Sequence, residues 1–368
     1  MFRTRERTLF LRRIIRTTTV ILISLLFCFL ILEICLRILG QAPSNITEGV
    51  YEQDEGSYRL KKNIKKLTKW PSLNYITYTN QFGFRDKSIG GRQIKDKPYV
   101  IFLGTCETYG SGVNYEKTYV GIIDNLLNKN GIEVLNLAVP GHFLRDQERL
   151  LMNFLKTINR KPDKVLICVS QVTLAAFDKV ISHTLVKNGY LFKKNSNIIP
   201  YIRVTLANNS ASYCFFRDRI RQIIVRVFGQ RARIANEFFD LFSKKGKLAD
   251  PRTQELFFSY LEELDRKVEQ EGIIPVYVYL PIIDTFNLEE LLIKNGKDPL
   301  NFDISIYSDL LEAHCANNKV NFVNLQPILK DLHQQGKTLK IDFHPYFNEN
   351  AHKIIADVIY KELMKNPS

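Results

Sequence analysis

The sequence has no C-x-x-C pair and no cysteine–histidine cluster with zinc spacing, so no structural metal is expected. Its six cysteines do not form a disulfide framework either. Cys28 and Cys35 fall in an apolar N-terminal stretch, while Cys106, Cys168, Cys214 and Cys315 are scattered through the remainder. Disulfide scaffolds are small and have clustered spacings, which leaves at most an isolated pair open here. No recognisable nucleic-acid module and no solenoid-type repeat is present. Disorder is excluded by composition, because 45% of residues are hydrophobic and only 24% charged.

The charge that is present is unevenly placed. Of the formal net +14, six arginines less Glu6 put +5 before residue 17, leaving +9 for the rest. Such an excess favours anionic lipid or polyanionic glycans over nucleic acid. Directly after the arginines, Thr17–Leu32 is uncharged, and apolar character continues to Leu39 around Glu33 and Arg37. A spanning helix needs about 20 residues. Residues 17–39 are therefore read as a transmembrane helix, with Glu33 and Arg37 paired one turn apart near its far end. The arginines keep residues 1–16 cytoplasmic and place the remainder outside. A cleaved signal peptide is the alternative, but it calls for a shorter apolar core and a small-x-small cleavage site, which Leu39-Gly40-Gln41-Ala42-Pro43 supplies poorly.

Residues 40–75 are polar and read as a juxtamembrane stalk. From residue 76 a single domain is expected. Short apolar runs at Tyr99–Leu103, Glu133–Ala138, Lys164–Val169, Pro275–Leu280 and Val320–Leu325 alternate with helical spacing at Thr118–Asn128, Gln147–Ile158, Gln254–Gln270, Ser308–Ala316 and Ala351–Lys365. That alternation predicts a three-layer α/β/α sandwich with a mainly parallel sheet. The rhythm breaks over about 178–250, which is read as an insertion containing a basic, apolar-rich helical stretch from Tyr213 to Leu241.

In open parallel sheets, reactive groups gather beyond the carboxyl ends of the strands. Three segments fall at such ends: Gly104 to Gly110, Asn136 to His142, and Ile341 to Pro345. A thiol on a strand-to-helix turn, with an Asp-x-His near the C-terminus, is a candidate nucleophile, base and orienter. Cys106, His344 and Asp342 are accordingly expected to converge. His183, His314 and His333 are read as surface histidines, His142 as a surface-loop histidine with pocket lining as the alternative, and His352 as capping or packing within the last helix.

These blocks resemble the GDSL/SGNH hydrolases, especially a membrane-anchored bacterial branch. Gly104-Thr105-Cys106-Glu107-Thr108-Tyr109-Gly110-Ser111-Gly112-Val113 is similar to that branch's G-D-S-x-T-x-G-x-G-V. Asn80-Gln81-Phe82-Gly83-Phe84-Arg85-Asp86 resembles N-x-x-G-F-R-D, and Asn136 to Gly141 resembles N-x-G-x-P-G, with Gln147-Glu148 following. Lys161-Pro162-Asp163 precedes the third strand as K-P-D does, and Asp342 to Pro345 matches D-x-H-P. The resemblance spans about residues 30–180 and 270–365, and it is the order of these short blocks that carries it.

The resemblance implies ester hydrolysis or acyl transfer on an acylated glycan or small ester, with no cofactor. Its departures lie in the site. Cys106 replaces the nucleophilic serine, Thr105 the aspartate before it, and Ala138 the glycine of the oxyanion hole. The oxyanion asparagine is absent after the third strand, where Gln171 stands as a longer-armed donor; Asn136 keeps its place in the second block. Two readings follow: a Cys106–His344–Asp342 enzyme, or a non-catalytic relative that binds or assembles envelope components.

Overall fold

The computed structural model of the 368-residue chain describes all residues except 1, 41–48, 71–72, 93, 95–96, 182–183, 194–196, 229–238, 342–343 and 366–368. It comprises two compact units, residues 1–46 with 196–230 and residues 47–195 with 231–368. Strands are β1 (Tyr51–Asp54), β2 (Ser57–Leu60), β3 (Lys65–Trp70), β4 (Leu73–Thr79), β5 (Arg85–Asp86), β6 (Tyr99–Leu103), β7 (Glu133–Asn136), β8 (Lys164–Val169), β9 (Thr184–Lys187), β10 (Tyr190–Lys193), β11 (Ile274–Tyr279) and β12 (Asn321–Asn324). Helices are α1 (Phe2–Ile38), α2 (Cys106–Tyr109), α3 (Tyr119–Asn128), α4 (Leu144–Leu155), α5 (Gln171–Ala175), α6 (Ile198–Asn209), α7 (Ala211–Phe228), α8 (Pro251–Gln270), α9 (Leu288–Lys294), α10 (Ile306–Asn318), α11 (Gln326–Gln334) and α12 (Glu349–Lys365).

In the larger unit the described residues form an eight-stranded sheet of order β12-β11-β8-β6-β7-β5-β4-β3. Its first five members are parallel and the last three antiparallel. The apolar runs are continuous because both faces of the sheet are covered. On β6, Tyr99, Ile101 and Leu103 join one core with Leu151 of α4, Leu261 of α8 and Leu311 of α10. Val100 and Phe102 join the other, with Ile123 of α3, Leu329 of α11 and Ile355 of α12. The fold is thus α/β in three layers, and the five parallel strands fall where the apolar runs predict them.

The expected stalk is a correction. From Tyr51 onward it is folded: β1 and β2 form a hairpin, and β3 is the edge strand of the large sheet. These strands are short and polar, and their burial comes from tertiary pairing rather than from an apolar run. The stretch expected as one insertion is divided. Its β9–β10 hairpin lies in the larger unit, where Gly189 accepts a hydrogen bond from the Tyr51 N–H (3.4 Å). Helices α6 and α7 belong to the smaller unit.

The smaller unit combines these two helices with α1. Residues Arg12–Ile38 of α1 form a helix long and apolar enough to cross a membrane, with a mean hydropathy of 2.8. Most of its apolar side chains are exposed, Leu25 and Phe27 among them, while Leu36 is buried.

Candidate active site

Strand β6 is the first parallel strand in the chain and has β7 on one flank and β8 on the other. The winding direction reverses there, and such a switch point opens a crevice beyond the carboxyl ends. Strand β6 runs out at Leu103, and α2 begins at Cys106.

Close packing dictates this turn. A Cβ on Gly104 would lie 2.0 Å from the Thr108 hydroxyl oxygen. Gly110 ends α2 at φ +80°, and a Cβ there would meet a Thr118 methyl at 2.1 Å. Arg85, wholly buried on β5, clamps the far side. Its guanidinium donates to the carbonyls of Tyr109, Gly110 (2.7 Å) and Val113 (2.5 Å) and lies 4.4 Å from the centre of the Tyr109 ring. Carbonyls at a helix end answer its charge.

Arg85 is itself fixed by the motif around it. The Asn80 side-chain oxygen accepts the N–H groups of Phe82 and Phe84, and its amide donates to Asp86. Asp86 takes a two-pronged contact from Arg92 (2.6 and 2.8 Å), which also reaches Asp124 of α3 and Glu133 of β7. The Asn-to-Asp segment noted in the sequence is therefore a brace for the Cys106 turn, a role that its residue order alone does not disclose.

Cys106 is half-buried, and the Gly141 N–H and the Ser111 hydroxyl are the nearby donors that favour its thiolate. Burial, and after it the charge of Glu107, pushes the thiol up to about 12 against these donors. The sulfur is thus protonated at neutral pH. Thr105 donates to the Glu107 carboxylate at 2.7 Å. Asn136, at the end of β7, donates to the Thr108 carbonyl (3.0 Å) and accepts the Ala138 N–H (3.1 Å). The structure thus brings Thr105, Cys106, Asn136 and Ala138 into one cluster of turns. Gln171 lies at the end of the adjacent β8, wholly buried, with its side-chain oxygen accepting the Ile282 N–H at 3.0 Å.

His344 sits in a turn closed by the Ile341 N–H to Tyr346 carbonyl bond (2.9 Å) and the His344 N–H to Ile341 carbonyl bond (3.0 Å). It is 9% exposed, and its ring stacks on Tyr346 with centroids 6.0 Å apart. Helix α12 begins shortly afterwards and meets the start of α3. Lys117 pairs with Glu349 at 2.7 Å, and the Tyr119 N–H donates to His352 Nδ1 at 3.2 Å. Because α3 starts on the carboxyl side of β6, His344 enters from the same side of the sheet as Cys106. Asp342 lies outside the described residues.

One neighbour of Cys106, Tyr58, was not foreseen. Tyr58 of β2 donates to the Pro140 carbonyl (2.9 Å) and packs edge-on against His142, with centroids 5.0 Å apart. It stands so close that a Cβ on Gly141 would lie 2.6 Å from its hydroxyl. Burial raises the Tyr58 phenol, and the neighbouring Cys106 raises it further. His142 is a correction: it is buried, with Nε2 against the Tyr58 carbonyl at 2.8 Å, and burial lowers it to about 4. Beside this pair opens a cleft of about 350 Å³, lined by Tyr58, Gly141, Phe143, Ile181 and Leu191 among others. Nothing local in the sequence marks Tyr58, which reaches the site only through the hairpin that carries it.

The other histidines divide. His314 is also buried rather than on the surface, 2.7 Å from Asp265, which accepts the Tyr277 hydroxyl at 2.8 Å as well. His333 is half-buried, His183 lies outside the described residues, and His352 packs within the last helix as expected.

No protein-family model matches the chain, and no curated protein matches it. Solved structures similar to it are GDSL-type lipolytic proteins and esterases. TesA shares 10% identity, with 73% of this chain and 98% of that one covered and a TM-score of 0.40. A lipolytic protein of the G-D-S-L family from Veillonella parvula shares 11%, covering 73% and 99%, with a TM-score of 0.40. The acetyl xylan esterase AlAXEase shares 13%, covering 72% and 99%, with a TM-score of 0.39. At these values the likeness leaves this chain's activity to be argued from its own residues.

Proposed function

We propose that the chain is a membrane-anchored, extracytoplasmic ester hydrolase or acyltransferase acting on an acylated glycan or small ester. The observation that carries this reading is the braced Cys106 turn at the sheet's switch point, with His344 entering from the same side. The chemistry follows from a protonated thiol. As the sulfur bonds to the acyl carbon, His344 takes its proton, with Asp342 as the orienting carboxylate. The tetrahedral oxyanion is held by the backbone N–H groups of Cys106 and Gly141; the Ala138 N–H is taken by Asn136, while the Gln171 oxygen accepts from Ile282 and its amide nitrogen is left as a buried donor. Collapse expels the alcohol, which receives the proton from His344. Water or an acceptor hydroxyl then cleaves the thioester and regenerates the thiol.

The second reading is a non-catalytic binding or assembly factor, and the high thiol pKa favours it. Incubation with activated acyl esters, followed by peptide mass analysis, separates the two. The enzyme reading expects an acyl group on Cys106 in wild type and a loss of at least about 100-fold in its rate of formation in His344→Ala. Absence of acylation, together with full complementation of a deletion strain by Cys106→Ala, rejects it.

A further inference from the structure

The smaller unit carries apolar surface that no described residue covers. On α6, Ile198, Ile199, Ile202 and Leu206 are 39 to 70% exposed and recur at the spacing of one helical stripe. On α7, Phe216, Ile220 and Ile223 form a second stripe, 47 to 58% exposed. Residues 198–228 also hold five arginines and a single acidic residue, Asp218. Arg203 and Arg219 are exposed, and Arg219 lies 5.2 Å from the centre of the Phe215 ring.

Helices α6 and α7, a hairpin joined at Ser210, are tied to α1 among the described residues through Glu33 and Arg37. The Glu33 carboxylate accepts the N–H groups of Ala211 and Ser212, both at 2.9 Å, and the Ser210 hydroxyl at 3.0 Å. Arg37 pairs with Glu33 (2.7 Å) and donates to the Asn209 carbonyl (2.7 Å). A carboxylate from the apolar helix thus caps the N-terminus of α7, where unpaired N–H groups and the helix dipole favour negative charge. Glu33 lies 17 residues beyond Arg16, or about 25 Å along a helix, in a hydrocarbon layer about 30 Å thick. The hairpin therefore starts near the far boundary of the bilayer that α1 is suited to cross.

We propose that α6 and α7 form a membrane-surface element lying in the headgroup layer of that bilayer. Their isoleucine-rich stripes face the acyl chains, and their arginines contact anionic phosphate headgroups. The inference rests on α1 being a membrane span, and the test keeps the two apart. In full-length protein, Trp70→Phe supplies a background for single tryptophans at Leu25, Ile202, Ile220 and Ile293. Each variant is placed singly in nanodiscs of phosphatidylcholine and phosphatidylglycerol with brominated acyl chains. Leu25→Trp should be quenched most by deep bromines. Ile202→Trp and Ile220→Trp should be quenched at least about twofold by shallow bromines and little by aqueous iodide. Ile293→Trp, exposed in the larger unit, should show the reverse. Quenching of Leu25→Trp alone, with Ile202→Trp and Ile220→Trp open to iodide or shielded from both quenchers, overturns the hairpin proposal and leaves the span standing. An unquenched Leu25→Trp overturns both.

Discussion

At the scale of single residues, Cys106 shows the difference between a position and a chemical state. Its place after an apolar strand is legible in the order of residues, and so is that of His344. The state of the thiol is not, because it depends first on burial, then on the charge of Glu107 and on Gly141 and Ser111, an environment that only the fold assembles. The folded thiol, at about 12, lies above a free cysteine's value of about 8.5. The folded state therefore favours the protonated form, and the stability this contributes is lost as pH rises from about 9 to about 12. Alkylation of Cys106 by iodoacetamide, followed peptide by peptide, should be slower than that of a free cysteine from pH 7 to 9 and should accelerate only above that range. A rate that exceeds free cysteine at pH 7 would reveal a preformed thiolate and contradict the burial argument. In the sequence alone Thr105 reads as a loss, Ala138 as a replacement that keeps its backbone N–H, and Gln171 as a longer-armed donor. In the structure Thr105 is bonded to Glu107, Ala138 to Asn136, and Gln171 to Ile282, so each has a structural task of its own.

At the scale of elements, the parallel strands and their helices were legible because each is a periodic run long enough to outweigh its neighbours. The strands from Tyr51 to Asp86 were not, since four of them carry charged or polar residues at roughly every second position and gain their burial from pairing. The turn at Cys106 lies between these cases: its glycines stand out, and the reason for them is tertiary. Gly110 and Gly131 separate the two costs of adding a side chain. Both are left-handed, at φ +80° and +76°, but a Cβ at Gly131 meets nothing within 4 Å, whereas one at Gly110 collides with Thr118. Gly131→Ala should cost about 1 kcal/mol from backbone strain alone. Gly110→Ala should cost roughly 1–3 kcal/mol more from overpacking, read as a lower urea midpoint at an unchanged slope. Equal midpoints for the two variants would show that the turn relaxes freely and that the Arg85 clamp does not hold it.

At the scale of the whole molecule, the question is whether α1 stays attached. The arginine cluster and the apolar run argue for an anchor from the sequence, and the contacts of Glu33 add a structural reason. Cleavage after about residue 40 would strip α7 of the carboxylate that takes the Ala211 and Ser212 N–H groups and the Ser210 hydroxyl. With α1 present Ser212 is wholly inaccessible, and each hydrogen bond to a charged group that is exchanged for water on cleavage gives up about 1.5–3 kcal/mol. An uncleaved α1 keeps these contacts, and a cleaved signal peptide loses them. Protease added outside spheroplasts should therefore digest the chain beyond about residue 45 and leave an N-terminal tag intact, in keeping with the positive-inside rule. The untreated protein should run at its full 42.8 kDa and remain with the membrane after a high-salt wash. Recovery of a salt-soluble form lacking the first 40 residues would identify α1 as a signal sequence and would remove the bilayer from the account of α6 and α7 as well.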